Sequence, residues 1–443
     1  MEILDGTIVA TAAPAIAADL GVAPVDVNAV LTGYLVALAA GTSISGWLAA
    51  RFGSRRVFLT GVAIFTLASG LCAASPDLAA MVVSRILQGL GGALMVPVGR
   101  LVVLRSTARA ELLPAIAYLT WPGLVAPVIA PSLGGWIVTA ASWHWIFLIN
   151  LPLGALAFIA AVRVVPPFSE PTVAPLDRRG FILTAGALVS VLVGLELIRP
   201  AGNPALAGVS LAVGALFLVA GVRWFRRAPN PLLDFTALRL ASFRAGNVGG
   251  SVYRMVISAV PFLIPLLFQV GFGWSAAQAG LLLMALFVGN VGIKPLTTPV
   301  IRRYGFRTVL LVGVGGGLIA LLALAWLGPD TPVPVIAAVL VVSGALRSVG
   351  FSAYNSLQFA DVADAHLSGA NVVSATMQQV ATALGVSVAA LLLRLGEVAA
   401  DGPTDLVAYR VAFWALAALM IIPLAGAVRL PATAGHQVTG RRP

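Results

Sequence analysis

Six ionisable side chains stand inside long apolar runs of this 443-residue chain: Asp5, Arg85, Glu196, Arg254, Lys294 and Arg347. Arg100 lies nearer the end of its run. A charge at membrane depth costs about 2.5–3.5 kcal/mol on insertion scales, so each needs a partner or water. Asp5 is the best candidate for proton chemistry. A carboxylate that alternates between dry surroundings and a nearby cation takes up a proton in one state and releases it in the other. The plainer reading of Asp5 is a solvated carboxylate at the end of a short helix. Arg85 reads equally as a structural pair with a carbonyl or carboxylate, and Gln88, one turn on, shares its polar face. Glu196 is within reach of Arg199 and reads best as a local ion pair. Arg254, Lys294 and Arg347 have no carboxylate at their depth. Their polar neighbours are Gln269, Asn290, Asn355, Gln358, Gln378 and Gln379.

The elements that position these residues are apolar helices. Hydrophobic residues make up 60% of the chain and charged ones 10%; mean hydropathy is +1.00. A soluble domain is about half apolar and about a quarter charged, so the chain reads as an integral membrane protein. A helix crossing the hydrocarbon needs about 20 apolar residues. About fourteen runs qualify: 2–20, 28–49, 56–75, 79–105, 111–141, 144–164, 181–199, 205–224, 243–270, 276–300, 306–328, 332–359, 367–395 and 408–430. Ile182–Leu197 shows none of the alternation that a membrane β-barrel needs, so the fold class is all-α. Pro127, Pro131, Pro261 and Pro265 are expected to bend their helices. The first run is barely long enough to cross, and the chain is expected to begin inside helix 1, through a clipped sequence or a misplaced start codon.

Arginines fall on alternate connections. They are Arg51, Arg55 and Arg56; Arg105 and Arg109; Arg178 and Arg179; Arg223, Arg226, Arg227, Arg239 and Arg244; Arg302, Arg303 and Arg307; then Arg429, Arg441 and Arg442. The other side holds mostly acids, among them Asp19, Asp26, Asp77, Asp330, Glu397, Asp401 and Asp405. Cationic loops stay inside, so both termini are expected in the cytoplasm. The connection with Asp361, Asp364 and His366 departs from the pattern. The net charge of +11 is spread over many short loops, which fits topogenic arginine and not a nucleic-acid surface.

Counting excludes further classes. One cysteine, Cys72, allows no intrachain disulfide or Cys-rich metal site, and three scattered histidines make no zinc motif. The single lysine, Lys294, follows Ile293, so no Gly-Lys-Ser/Thr phosphate loop exists. No nucleophile–base constellation is present. An enzyme and a P-loop ATPase are therefore unlike this chain, no cofactor is expected, and an ion gradient is the default energy source.

The chain repeats itself. Residues 51–62, RFGSRRVFLTGV, match residues 303–314, RYGFRTVLLVGV, at the Arg, Gly, Arg, Val, Leu, Gly and Val positions. Each copy joins two helices on the arginine side. A separation of eight helices fits two six-helix lobes with two extra helices between them, an arrangement of secondary transporters.

The stretch from Gly46 through Arg51, Gly53, Arg55 and Arg56 resembles the loop motif of the major facilitator superfamily, with Arg303, Gly305 and Arg307 its second copy. Arg85-Ile-Leu-Gln88-Gly89-Leu-Gly91-Gly92 looks like that superfamily's helix 4 motif. Ala130-Pro131-Ser-Leu-Gly134-Gly135 resembles its helix 5 antiporter motif. Leu4-Asp5-Gly-Thr7-Ile-Val, ending at Pro14, and Trp143-His-Trp145 through Asn150-Leu-Pro152-Leu-Gly154 resemble helix 1 and the start of helix 6 in the fourteen-helix drug/proton antiporters of the EmrB/QacA type. The resemblance spans essentially the whole chain. Two positions depart from it. Ala50 stands where the loop motif has an Asp that latches one conformation, and Ala130 stands where the helix 5 motif has Gly.

The resemblance implies an N-terminal lobe over 1–165, inserted helices over 166–240, a C-terminal lobe over 241–430 and a cytoplasmic tail over 431–443. It implies proton-coupled efflux of small amphipathic compounds from the inner membrane by alternating access, with Arg85 the cation beside Asp5 and no metal. It also implies that Gln88, Arg254, Gln269, Asn290, Lys294, Arg347, Asn355, Gln358 and Gln378 line a cavity between lobes. Like charges repel strongly in a low-dielectric cleft, so that cationic wall suits an anion or zwitterion. Snorkelling or carbonyl bonding would equally satisfy Lys294 and Arg347. An organic-anion transporter is thus the second reading and a non-transporting sensor a third. The expected partners are the bilayer, a small-molecule substrate and protons. The chain is expected to be a monomer, and a periplasmic adaptor, which some relatives use, stays open.

Overall fold

The computed structural model describes the chain except residues 23–26, 109–110, 168–174, 198–202, 230, 399–405 and 440–443, and some side chains within helices. Among the described residues there are helices and no strand. The chain divides into two compact units. One comprises Met1–Ser106, Ala126–Phe235 and Asp364–Thr376; the other comprises Thr107–Val125, Thr236–Ala363 and Met377–Pro443.

The first unit opens with α1 (Glu2–Asp19), α2 (Asn28–Phe52), α3 (Ser54–Ala73) and α4 (Leu78–Ser106). Helix α5 (Leu112–Ala140) contributes its C-terminal part. Then come α6 (His144–Leu148), α7 (Asn150–Val164), α8 (Arg178–Glu196) and α9 (Pro204–Phe225). One apolar core gathers Ile8, Val9, Ala12 and Ile16 of α1 with Val30, Cys72, Met81, Ala130 and Phe147. Trp143 Nε1 donates to Asp19 Oδ2 at 3.0 Å and ties down the far end of α1. Glycine brings α4 against both neighbours. A Cβ on Gly89 would lie 2.4 Å from the Tyr34 carbonyl oxygen, and one on Gly91 would lie 2.6 Å from Phe65 N. Small residues give membrane helices this close approach. Asp177 caps α8 by accepting from Gly180 N at 2.8 Å and also accepts from Trp224 Nε1 at 2.9 Å, which joins α8 to α9.

The second unit holds α10 (Ala241–Arg244), α11 (Gly250–Leu266), α12 (Ala276–Gly292), α13 (Lys294–Ala325), α14 (Val333–Ala360), most of α15 (Leu367–Val398), α16 (Leu406–Leu419), α17 (Ile421–Val428) and α18 (His436–Thr439). Wide π turns at Ala245–Gly249 and Leu267–Gly271 bracket α11. Pro261 and Pro265 lie inside α11, where each removes a ladder donor. The run expected over 276–300 is interrupted at Ile293. Pro295 has no N–H to offer the carbonyl of Val291, so the ladder of α12 stops there.

The internal repeat has a backbone counterpart. Gly53, between α2 and α3, has φ 88° and ψ 136°; Gly305, within α13, has φ 77° and ψ 163°. Both are glycine-only conformations, and each breaks a helix at the same place in the repeated motif.

Ten helical stretches of described residues are long and apolar enough to cross a membrane. Their outer faces are apolar: Leu67 is 72% exposed, Leu216 70% and Ile319 66%. Water would penalise such faces and lipid does not. The chain is a multi-pass membrane protein.

Candidate functional site

Asp5 is 1% exposed and Arg85 fully buried, and the two form an ion pair through Asp5 Oδ2 and Arg85 Nη1. Asp5 does lie in the first turn of α1, but it is enclosed there, so the solvated-carboxylate reading is corrected on solvation. Four helices supply the remaining partners. Asn150 Nδ2, at the start of α7, donates to Asp5 Oδ1 at 2.8 Å. Gln88 Nε2 on α4 donates to the same oxygen at 3.2 Å. Arg85 Nη1 also donates to Gln88 Oε1 at 2.8 Å. Ser69 Oγ on α3 accepts from Gln88 at 3.1 Å and from Asn150 at 3.0 Å, then donates to the Phe147 carbonyl at 2.9 Å. Cys72 Sγ sits 3.7 Å from Gln88 Oε1.

The arginine has an aromatic side as well. Its Cζ lies 4.2 Å from the Tyr34 ring centre and 5.8 Å from that of Phe147. Cation–π contacts are strongest when desolvated. The Nε and Nη2 groups of Arg85 are buried without a hydrogen-bond acceptor among the described residues. Charge is thus compensated here by one carboxylate, one amide and two rings. A buried pair of this kind is strongly destabilised when one member is removed. Protonation of Asp5 removes its charge and leaves that of Arg85. The network is chemically suited to couple a proton to a change in packing among α1, α3, α4 and α7.

A second cluster lies in the other unit. Arg254 on α11 donates from Nη2 to Asn355 Oδ1 at 3.0 Å, and Lys294 Nζ donates to Ser352 Oγ at 2.6 Å. Both cations sit over one ring: Phe351 is 4.9 Å from Arg254 Cζ and 5.9 Å from Lys294 Nζ, measured to its centre. Gln378 Nε2 reaches Asn355 Oδ1 at 3.5 Å and Gln358 Oε1 at 3.4 Å. Arg347 turns to the backbone, donating from Nη2 to the Ile257 carbonyl at 2.8 Å.

Other expected site residues fall elsewhere. Gln269 is exposed, in the π turn that follows α11. Asn290 is buried, and its Oδ1 finds no donor among the described residues. Arg51, Arg56 and Arg303 are exposed, and Arg307 is half-buried. Arg55 donates from Nη2 to the Val162 carbonyl. Gly46 abuts Val372, whose Cγ2 would lie 2.1 Å from a Cβ there. Ala50 and Ala130 are buried, and so is Gly134. The side chains of Pro127, Pro131 and Glu196, and Gly135, lie outside the described ones; so does Arg199, and with it the expected Glu196–Arg199 pair.

Tyr34, Ser69 and Phe351 were not singled out by sequence reasoning, and Asn150 entered only as part of a resemblance motif. Ser69 and Asn150 are neutral polar residues in apolar runs, a weak signal beside a charge. Tyr34 and Phe351 read from sequence as packing.

The fold and its buried polar clusters define a multi-pass membrane protein with ionisable groups held at helix depth. A family model described as Major Facilitator Superfamily matches residues 1–385 and 246–442. A protein named for multidrug resistance, MdtD of Serratia proteamaculans, is 34% identical over 444 residues, covering 98% of this chain and 91% of that protein. Its namesake in Pectobacterium atrosepticum is 36% identical over 402 residues, covering 89% and 84%. The human organic anion transporter MFSD10 superposes with a TM-score of 0.67 at 15% identity, covering 96% of each chain. At that identity the likeness shows the fold alone. The chain belongs to the major facilitator superfamily, and the drug/proton antiporter branch fits its relatives. It is a membrane transporter and not an enzyme.

Proposed function

We propose that this protein is a proton-coupled exporter of small amphipathic compounds, working by alternating access. The observation that carries the reading is the fully buried Asp5–Arg85 pair, bridged by Gln88 and braced at the carboxylate by Asn150. A buried carboxylate with a single cation partner is a minimal proton carrier: proton binding releases the arginine, and arginine binding expels the proton. Export follows the relatives' multidrug-resistance name. The proton gradient is the only energy source in this reading, with no cofactor.

The chain crosses the inner membrane fourteen times with both termini in the cytoplasm, in two six-helix lobes with α8 and α9 inserted between them in sequence. The arginine-rich connections support that orientation. Inside-out vesicles containing the protein test the function. With an acid lumen they should accumulate ethidium or 2-naphthoate against a gradient, and a protonophore should abolish the accumulation. Accumulation that survives the protonophore would remove proton coupling.

A further inference from the structure

We propose that Arg410, Trp326 and Trp414 form a binding site for the phosphate head of an anionic phospholipid, where α13 ends and α16 begins. This goes beyond the transporter reading and does not rest on it, since the lipid is a bound neighbour and not cargo.

The sequence sets the site up. Trp326 closes α13, directly after Ala325. Arg410 and Trp414 lie on α16, which starts at Leu406. They are four positions apart and so share one face of that helix. Helix α13 runs away from the arginine-rich break at Gly305, and the connection after it carries Asp330. Arg410 is thus a cation at the end of the helices that topogenic arginine avoids.

The structure brings the three together. Arg410 Cζ lies 5.6 Å from the centre of the Trp326 ring. The rings of Trp326 and Trp414 have centres 6.3 Å apart and are inclined at 57°. Both indoles face outward: Trp326 is 68% exposed and Trp414 43%. Arg410 is half-buried, and its Nε is enclosed without an acceptor among the described residues. No carboxylate among them pairs with it. Asp330 is exposed, and Asp401 and Asp405 lie outside the described residues.

The chemistry selects the ligand. A ring face attracts the guanidinium charge but leaves its fork of N–H donors to be met by oxygen. A phosphate accepts from two of those donors at once. Exposed indoles at the end of an apolar helix sit at the level of lipid headgroups, which is where a phosphodiester lies. The acyl chains below it need an apolar face, and α13 supplies one through Ile319 and Leu322, 66% and 37% exposed. A soluble phosphate makes no use of that face. An anionic headgroup adds a net attraction to Arg410 that a zwitterionic one lacks.

The test is indole fluorescence of the full chain reconstituted in phosphatidylglycerol or phosphatidylcholine with acyl chains brominated near the headgroup. Bromine quenches the indoles it touches. The relevant component is the quenching lost when Trp326→Phe and Trp414→Phe are combined. In that component phosphatidylglycerol should outcompete phosphatidylcholine about fivefold, the worth of one cation at a lipid surface. Arg410→Gln should bring the ratio to about one, and Arg410→Lys, which keeps the charge, should preserve most of it. Where Arg410→Gln does not fold, salt gives a second reading on the unmodified protein. Raising NaCl from about 0.1 to about 1 M shortens the Debye length from about 10 to about 3 Å and should lower the ratio. Equal quenching by the two lipids, a ratio unchanged in Arg410→Gln, or a ratio indifferent to salt would overturn the inference. Loss of the ratio on adding glycerol 3-phosphate would overturn it too, by making the ligand a soluble phosphate. Asp5→Asn should leave the ratio intact.

Discussion

Asn150 Nδ2 reaches Asp5 Oδ1 at 2.8 Å and Ser69 Oγ at 3.0 Å, so one amide on α7 bridges a carboxylate on α1 and a hydroxyl on α3. The bridge makes the charge state of Asp5 a property of four helices. A change at the carboxylate is felt by α4 and α7 through direct hydrogen bonds, and by Ser69 of α3 one bond further on.

Removing the Asp5 charge should destabilise the fold. Asp5→Asn leaves Arg85 buried without its counter-charge, a loss of about 3–5 kcal/mol. The melting temperature should drop. The double variant Asp5→Asn with Arg85→Gln should recover most of it, because neither charge is then stranded. A double variant less stable than Asp5→Asn alone would show that the pair is not the compensating element.

The bridging amide is predicted to matter in its own right. Asn150→Ala removes one donor to Asp5 and one to Ser69, a cost of about 1–3 kcal/mol. Ser69→Ala should cost less, since Gln88 and Asn150 keep their bonds to Asp5. Denaturant midpoints of the two variants give the ranking, and the reverse order would contradict the geometry.

The two repeat glycines should respond alike. Gly53→Ala and Gly305→Ala each force a side chain into backbone conformations reserved for glycine, at about 1–3 kcal/mol. Both should lower the yield of folded protein and the melting temperature, whereas Gly208→Ala, where a Cβ meets nothing within 4 Å, should be near neutral apart from a gain in helix propensity. Full tolerance at Gly53 or Gly305 would mean that the break is not held there.

Orientation can be read by thiol labelling. Cys72 is buried and fully enclosed in the core of α1, α3 and α4, so the unmodified protein should be silent to a membrane-impermeant maleimide. Arg56→Cys and Arg303→Cys are exposed positions and should label in inside-out vesicles and stay silent in intact cells. Labelling of either in intact cells would reverse the assigned sidedness.

Much of the site was legible where physics made it costly. Asp5 and Arg85 are charges in apolar runs, and that cost demands a reason. Gly53 and Gly305 announced themselves by repeating within a shared motif. Arg254 and Lys294 were legible as charges in apolar runs. Ser69, Asn150 and Tyr34 were not, because a neutral polar or aromatic residue is tolerated in a membrane helix without a specific partner. Phe351 gains its meaning only from two cations that lie 97 and 57 positions away in sequence. The break at Ile293 was missed because the apolar run continues through Pro295, while the hydrogen-bond ladder does not.

The central claim is that Asp5 carries the coupled proton. The most direct measurement is substrate-driven proton movement in inside-out vesicles with an acid lumen, followed by a pH-sensitive dye on addition of ethidium or 2-naphthoate. Wild-type protein should release lumenal protons when substrate is added, and Asp5→Asn protein reconstituted at equal density should give no release. Proton release from Asp5→Asn at the wild-type rate would contradict the account.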